Sequence, residues 1–242
     1  MHTPAYENGF GPNTDKLDHL LKFTHEGVRS YSATISEKLE AATAKVEAGA
    51  IQQESTVAIL HEAAEQISQF GGGLRIIQGL MPVLMVTIVE AYLKDVLIYG
   101  AEMDGTLMKD SGQTASYKEL LNAESLKEVI LELRGKWAKN FVDKGGPTEW
   151  IKRLTSMGAR GYRPSTLALM EALWGVRHLM VHSAGIVTPE FARRHSHFQK
   201  KIGDHFIVAN NHLQQWLAGI YDFVEVTDVY FVKRCAAKIE GR

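Results

Sequence analysis

The sequence predicts an all-α fold, a helical bundle preceded by an N-terminal helical extension, and three observations carry that prediction. Apolar residues return every three or four positions along most of the 242 residues, the period of a helix with one buried face. The periodic segments are divided by helix-stopping clusters, Lys144-Gly145-Gly146-Pro147 and Arg160-Gly161-Tyr162-Arg163-Pro164. Two-residue alternation is weak and confined to Gly203–Val208, so a short strand or hairpin near 203–208 is the one non-helical element expected.

Each element has its own justification. Residues 1–13 are rich in Gly, Pro and Asn and are expected to be loosely ordered. Thr14 can cap a helix whose apolar positions are Leu17, Leu20, Leu21 and Val28, and residues 30–48 continue with Ile35, Leu39, Ala42 and Val46 on one face. A third helix fits Gln52 to Phe70, with Val57, Leu60, Ala64 and Ile67 as its stripe. Gly71-Gly72-Gly73 is expected to break it, because three consecutive glycines carry a large backbone-entropy cost. That break divides the chain into an extension, 1–73, and a core, 74–238.

The core opens with Leu74–Leu80, and Pro82 suits the first position of an apolar helix reaching about Tyr99. Residues 103–122 are polar and read as a loop with one short turn. Helical spacing returns from Leu126 to Val142 through Val129, Ile130, Leu133, Trp137 and Phe141. Thr148 is the expected cap of a helix to Met157, and Ser165 of a helix to about Val181, with Glu190–His197 beyond it. The final helix starts at Asn210 or Asn211 and runs through Trp216, Ile220, Phe223, Val226, Val229 and Phe231. The last four residues, 239–242, spell Ile-Glu-Gly-Arg, the recognition sequence of the protease factor Xa, and read as an appended tail without functional meaning.

Composition narrows the function classes. At 45% hydrophobic residues the chain can bury a sizeable core. A net charge of −1 means no global basic field, which counts against a tight, non-specific RNA binder while leaving room for a local basic cleft. The single cysteine, Cys235, excludes an intramolecular disulfide and reads as a packed residue of the final helix. Residues 1–8 lack the basic start and apolar run of a secretory signal. The longest apolar stretch, Gly79–Ile98, is interrupted by Glu90, Lys94 and Asp95, so no membrane span is expected. The expected setting is the cytoplasm.

The chemistry concentrates at residues 173–185, Leu-Trp-Gly-Val-Arg-His-Leu-Met-Val-His-Ser-Ala-Gly. These read as the last turns of an apolar helix stopped by Gly185, which takes the left-handed C-cap conformation at no steric cost. Into it are set Arg177, His178 and His182. A charge on an apolar helix is costly unless paired or used. The guanidinium fork suits phosphate, and imidazole can take or give a proton near neutrality. Together they are the smallest set able to cleave a phosphodiester without metal. His178 and His182, one turn apart, also have the spacing of a helical metal pair, but the residues between them are Leu, Met and Val, without the carboxylate of a zinc-protease helix. No metal and no cofactor are expected.

Arg177-His178-Leu-Met-Val-His182 resembles the Arg-polar-x-x-x-His signature of the HEPN superfamily (higher eukaryotes and prokaryotes nucleotide-binding domains), and residues 74–237 resemble its helical frame. That resemblance implies a bundle that pairs as a homodimer, so that two motifs face one shared, composite cleft. It also implies metal-independent endoribonuclease activity, as in toxin–antitoxin pairs and antiviral systems, with RNA as substrate and an antitoxin or regulatory protein as a further partner. Other members of the family have lost catalysis and serve as binding modules. On this reading Arg177 clamps phosphate, His182 carries the proton, and His178 supports Arg177. Glu90, an acid on the apolar helix 82–99, is the candidate to orient the arginine; alternatively Thr87, Glu90 and Lys94 form one solvated stripe, with Glu90 and Lys94 a favourable i,i+4 pair.

Two basic clusters flank the motif: Lys144, Lys152, Arg153, Arg160 and Arg163 before it, and Arg193, Arg194, Lys200 and Lys201 after it. Arg160, Arg163, Arg193 and Arg194 are the candidates for contacts to an RNA backbone. Tyr162 and Trp174 are candidates to stack on bases.

Overall fold

The computed structural model describes residues 2–11, 15, 19, 26, 53–109 and 111–240, with the backbone alone for 8, 9, 53–77, 239 and 240. The two helices expected over 14–28 and 30–48 lie almost wholly outside the described residues. The fold is all-α. Its helices are α1 (Gln53–Met103), α2 (Tyr117–Asn122), α3 (Leu126–Asp143), α4 (Pro147–Ser156), α5 (Pro164–Ser183), α6 (Pro189–Arg194) and α7 (Asn210–Glu240), joined by 3-10 turns at Gly105–Met108 and Ser196–Phe198. No described helix is long and apolar enough to cross a membrane.

The second half of α1 is the centre of the bundle and packs against α3, α5 and α7, while α5 also packs against α7 and α4. Its buried positions, Met81, Met85, Val89, Leu93, Val96 and Leu97, recur at helical spacing and face Val176, Leu179, Phe223 and Phe231 in one core. The break expected at Gly71–Gly73 is absent, since α1 continues through all three glycines. Each glycine lowers helix stability by only about 1 kcal/mol, and an established helix regains one hydrogen bond per residue as it propagates. Pro82 likewise lies inside α1 and does not start it. The lost backbone bond there is offset by the burial of Met81 and Met85 on either side.

Capping corrects three further expectations. Gly146 is the N-cap of α4 with Pro147 at its first position, so Thr148 is already inside the helix. Arg163 is the N-cap of α5 with Pro164 at its first position, so Ser165 is also inside. In both cases the fixed φ of proline sets the start more firmly than a hydroxyl cap one residue later. At the other end of α5 the left-handed turn begins at Ala184, φ 48°, and Gly185 continues it at φ 79°. The loop expected over 103–122 contains both the Gly105–Met108 turn and α2, which is capped by Ser116 and Glu119 in a reciprocal box. The alternation at 203–208 yields only an isolated antiparallel bridge between Ile186 and His205, with no strand among the described residues.

The N-terminal segment is not loose. Thr3, Ala5 and Phe10 are buried, and Phe10 lies between the rings of Tyr92 and Tyr221 at 5.3 and 5.9 Å. The anchor is Asp228 on α7, which is buried and must therefore find partners. It accepts hydrogen bonds from the Thr3 amide at 2.9 Å, from the Thr3 hydroxyl and from the Tyr92 hydroxyl at 3.4 Å, and it pairs with His2 at 3.0 Å. A second buried acid, Asp104, ties the end of α1 to α7 through Arg234 at 2.8 Å and Lys238 at 3.4 Å.

Candidate functional site

The last three turns of α5 present different residues to different surroundings. Leu173, Val176 and Leu179 are buried in the core. Arg177 sits on the shoulder of that stripe, half-buried, while His178 and His182 stand on the exposed edge. The two imidazoles, one turn apart, keep their ring centroids 4.4 Å apart, as the i,i+4 geometry of a helix dictates.

Arg177 is distinctive for what it does not touch. Among the described residues it makes no hydrogen bond and no ion pair, and its guanidinium lies over the Trp174 ring at 5.6 Å. The other half-buried arginines are committed: Arg134 to Glu102, Arg153 to Glu149 and to the carbonyls ending α3, Arg234 to Asp104. Its fork of five donors therefore has no hydrogen-bond acceptor among the described residues.

Glu90 on α1 is half-buried and close enough to feel the motif electrostatically. Burial pushes its carboxyl up, and the charges of Arg177 and then Lys94 pull it back. Glu90 and Arg177 thus stand on two helices that pack together and feel each other's charge, without an ion pair between them. Lys94 makes its ion pair elsewhere, with Asp143 on α3 at 3.6 Å, and not with Glu90 as helical spacing suggested.

Beside the motif, α5 and α6 enclose a groove of about 680 Å³, whose walls include Glu171, Trp174, His178, Arg194 and His195. Glu171 is fixed from behind, since the Thr148 amide and hydroxyl both donate to its Oε1, at 2.8 and 2.7 Å. Arg194 stands at the groove and pairs with Glu190 at 2.9 Å. Arg177 and His182 are not in the wall of the groove.

His195 is a site residue that the sequence reading missed. Its ring is packed against Gly175 of α5 so closely that a Cβ at 175 would fall on the imidazole. Phe191 holds it from the other side, at 4.9 Å between ring centroids. Burial lowers its pKa, helped by the charges of His197 and Arg194 and opposed by Glu171. The available signal was Gly175 itself, because a glycine within a helix marks a close approach.

The basic candidates divide. Arg194 reaches the groove; Arg193 is exposed on the same short helix. Arg163 opens α5, about 21 Å from Arg177 at 1.5 Å per residue, and is held by Asp222. Arg160 donates to the carbonyls of Thr155 and Ala159 and so closes α4. These two are not brought to the motif. Tyr162 is turned inward, with its hydroxyl 2.9 Å from Thr227 and its ring stacked on Phe223, whereas Trp174 borders the groove. Among the described residues no group of three or more His, Cys, Asp or Glu side chains is placed to hold a metal ion.

Chemically, the end of α5 offers a guanidinium without a hydrogen-bond partner among the described residues and two adjacent exposed imidazoles, within the electrostatic reach of the Glu90 carboxyl. Compared with known proteins, the chain matches no family model, no curated protein and no solved structure.

Proposed function

We propose that this protein is a metal-independent endoribonuclease of the HEPN type, with its site at the end of α5. The observation that carries the reading is the uncommitted guanidinium of Arg177 beside two exposed imidazoles. Arg177 makes charge-assisted bonds to the scissile phosphate and stabilises the extra negative charge of the pentacovalent transition state. Glu90 positions Arg177 from α1. One His182 imidazole accepts the proton of the ribose 2′-OH, whose oxygen attacks phosphorus. The leaving O5′ takes a proton from a second imidazole as the P–O5′ bond breaks. The products are a 2′,3′-cyclic phosphate and a 5′-OH. Each positioned proton transfer supplies about 10²–10⁴-fold.

The second imidazole comes from a second copy, in a two-fold interface that places two motifs face to face. Support for such a face comes from exposed Leu80 and Leu84 on α1 with Val181 and Ile186 at the motif end of α5, apolar side chains that a partner subunit would cover. An RNA with a single ribose replaced by deoxyribose tests the chemistry. Cleavage should vanish at that linkage alone; unchanged cutting there would overturn 2′-OH attack.

Two observations favour a second reading, a catalytically silent module that binds a nucleotide or partner. The net charge is −1, and Arg153, Arg160 and Arg163 are spent on internal contacts rather than left for a backbone. Intact RNA after incubation with the wild type, together with measurable nucleotide binding, would select it.

A further inference from the structure

We infer that the groove between α5 and α6 is a reading pocket for guanine, with Glu171 as the residue that selects it. The cleavage half of this inference rests on the ribonuclease reading above; the binding half does not. The groove's volume, about 680 Å³, lies in the usual range of small-ligand sites.

Along one face of α5 it presents Glu171, Trp174 and His178, in that order. Glu171 and His178 are two helical turns apart, about 10 Å. A single nucleotide can span that distance, with its base edge at Glu171, its ring against Trp174 and its phosphate by the imidazoles. Aromatic side chains supply stacking to any base, so selectivity has to come from the polar end.

That end is Glu171. Its Oε1 already accepts both bonds from Thr148, and its Oε2 receives none from the described residues. The carboxylate is therefore held in one orientation with one oxygen to spare, and it can only accept. Guanine is the RNA base whose pairing edge carries two neighbouring donors, N1–H and the N2 amino group. On adenine and cytosine the amino donor sits next to a ring nitrogen lone pair, and on uracil the single N–H lies between two carbonyl oxygens. Each of those would set a lone pair against the carboxylate. The His195 imidazole, also in the wall of the groove, has no hydrogen-bond partner among the described residues, and burial lowers its pKa.

The variant that tests this is Glu171→Gln. The glutamine carbonyl can keep both bonds from Thr148, while its amide nitrogen replaces the free oxygen, turning an acceptor into a donor in place. Calorimetric titration of the full chain with 3′-GMP, 3′-AMP, 3′-CMP and 3′-UMP should show 3′-GMP preferred by about tenfold or more. In Glu171→Gln, with its melting temperature retained, that preference should disappear. Mapped cleavage sites in a mixed-sequence RNA should lie beside guanosines for the wild type and lose that bias in the variant. Selective 3′-GMP binding without RNA cleavage would support the pocket and sink the ribonuclease reading. RNA cleavage with no preference for any base, or a preference that survives in Glu171→Gln, would overturn the guanine pocket while leaving the ribonuclease reading in place. Absence of selective nucleotide binding would overturn it too.

Discussion

Arg177→Ala should separate stability from activity, and the structure sets both magnitudes. The folded state gets little from this guanidinium: no hydrogen bond or ion pair among the described residues, and a cation–π contact at 5.6 Å to a partly buried indole. Such a contact contributes about 0.5–1 kcal/mol. Loss of the charge that offsets the burial of Glu90 adds a fraction more. The expected cost is about 1 kcal/mol, or about 2–4 °C in Tm for a chain of this size. The contrast is Arg234→Met, which removes the closest cation from the buried carboxylate of Asp104, leaving it Thr106 and Lys238, and should cost about 2–3 kcal/mol. In the transition state, loss of one phosphate-stabilising donor typically costs about 10²–10³ in rate. Equilibrium urea unfolding and single-turnover RNA cleavage, run on the same preparation, read the two effects. If Arg177→Ala loses 3 kcal/mol or more while its folded fraction still cuts at the wild-type rate, the arginine is structural and the argument fails.

Further expectations follow from other parts of the molecule. Asp104 is held at about 2 against an ordinary 3.8 by its bonds from Thr106 and Arg234, which outweigh its burial. Its stabilisation is therefore complete above pH 3.8 and lost as pH falls from there through 2, by about 2 kcal/mol; urea midpoints should fall more steeply over that window in wild type than in Asp104→Asn, and parallel profiles would contradict the assignment. Phe10→Ala should cost about 3–5 kcal/mol because the ring is fully enclosed, and a negligible change in urea would mean that residues 2–11 do not dock on the bundle. Light scattering at micromolar concentration should report a dimer, and a charge at Val181 (Val181→Glu) should weaken both dimerisation and cleavage; a strict monomer that retains activity would refute the composite site.

Much of the fold was legible because helical burial leaves a period in the sequence: the spacing of α3 and α7 was readable, with Ile130 and Val229 exposed where the stripe was read to include them, and so were the prolines and glycines between the helices. What failed were local rules overridden by packing. Gly71–Gly73 and Pro82 both weaken a helix, yet α1 runs through them, and beside Pro82 the side chains of Met81 and Met85 are buried in the core. The segment 2–11 reads as polar and flexible, and nothing in its own pattern reveals Asp228, more than two hundred residues away, as its anchor. The candidate site divides the same way. Arg177, His178 and His182 share one helix, so their proximity follows from spacing. Glu90 could be paired with Arg177 only through the α1–α5 contact, and Glu171 and His195 acquire meaning only where α4 and α6 close on α5.

The most direct measurement is the chemistry of the cut ends. Purified protein is incubated with mixed-sequence RNA in excess EDTA, and the fragments are resolved by mass spectrometry. The account predicts fragments ending in 2′,3′-cyclic phosphate at one side and 5′-OH at the other, formed without metal and suppressed in Arg177→Ala and His182→Ala. Fragments bearing 5′-phosphate, cleavage that requires added metal, or intact RNA at every protein concentration would contradict it.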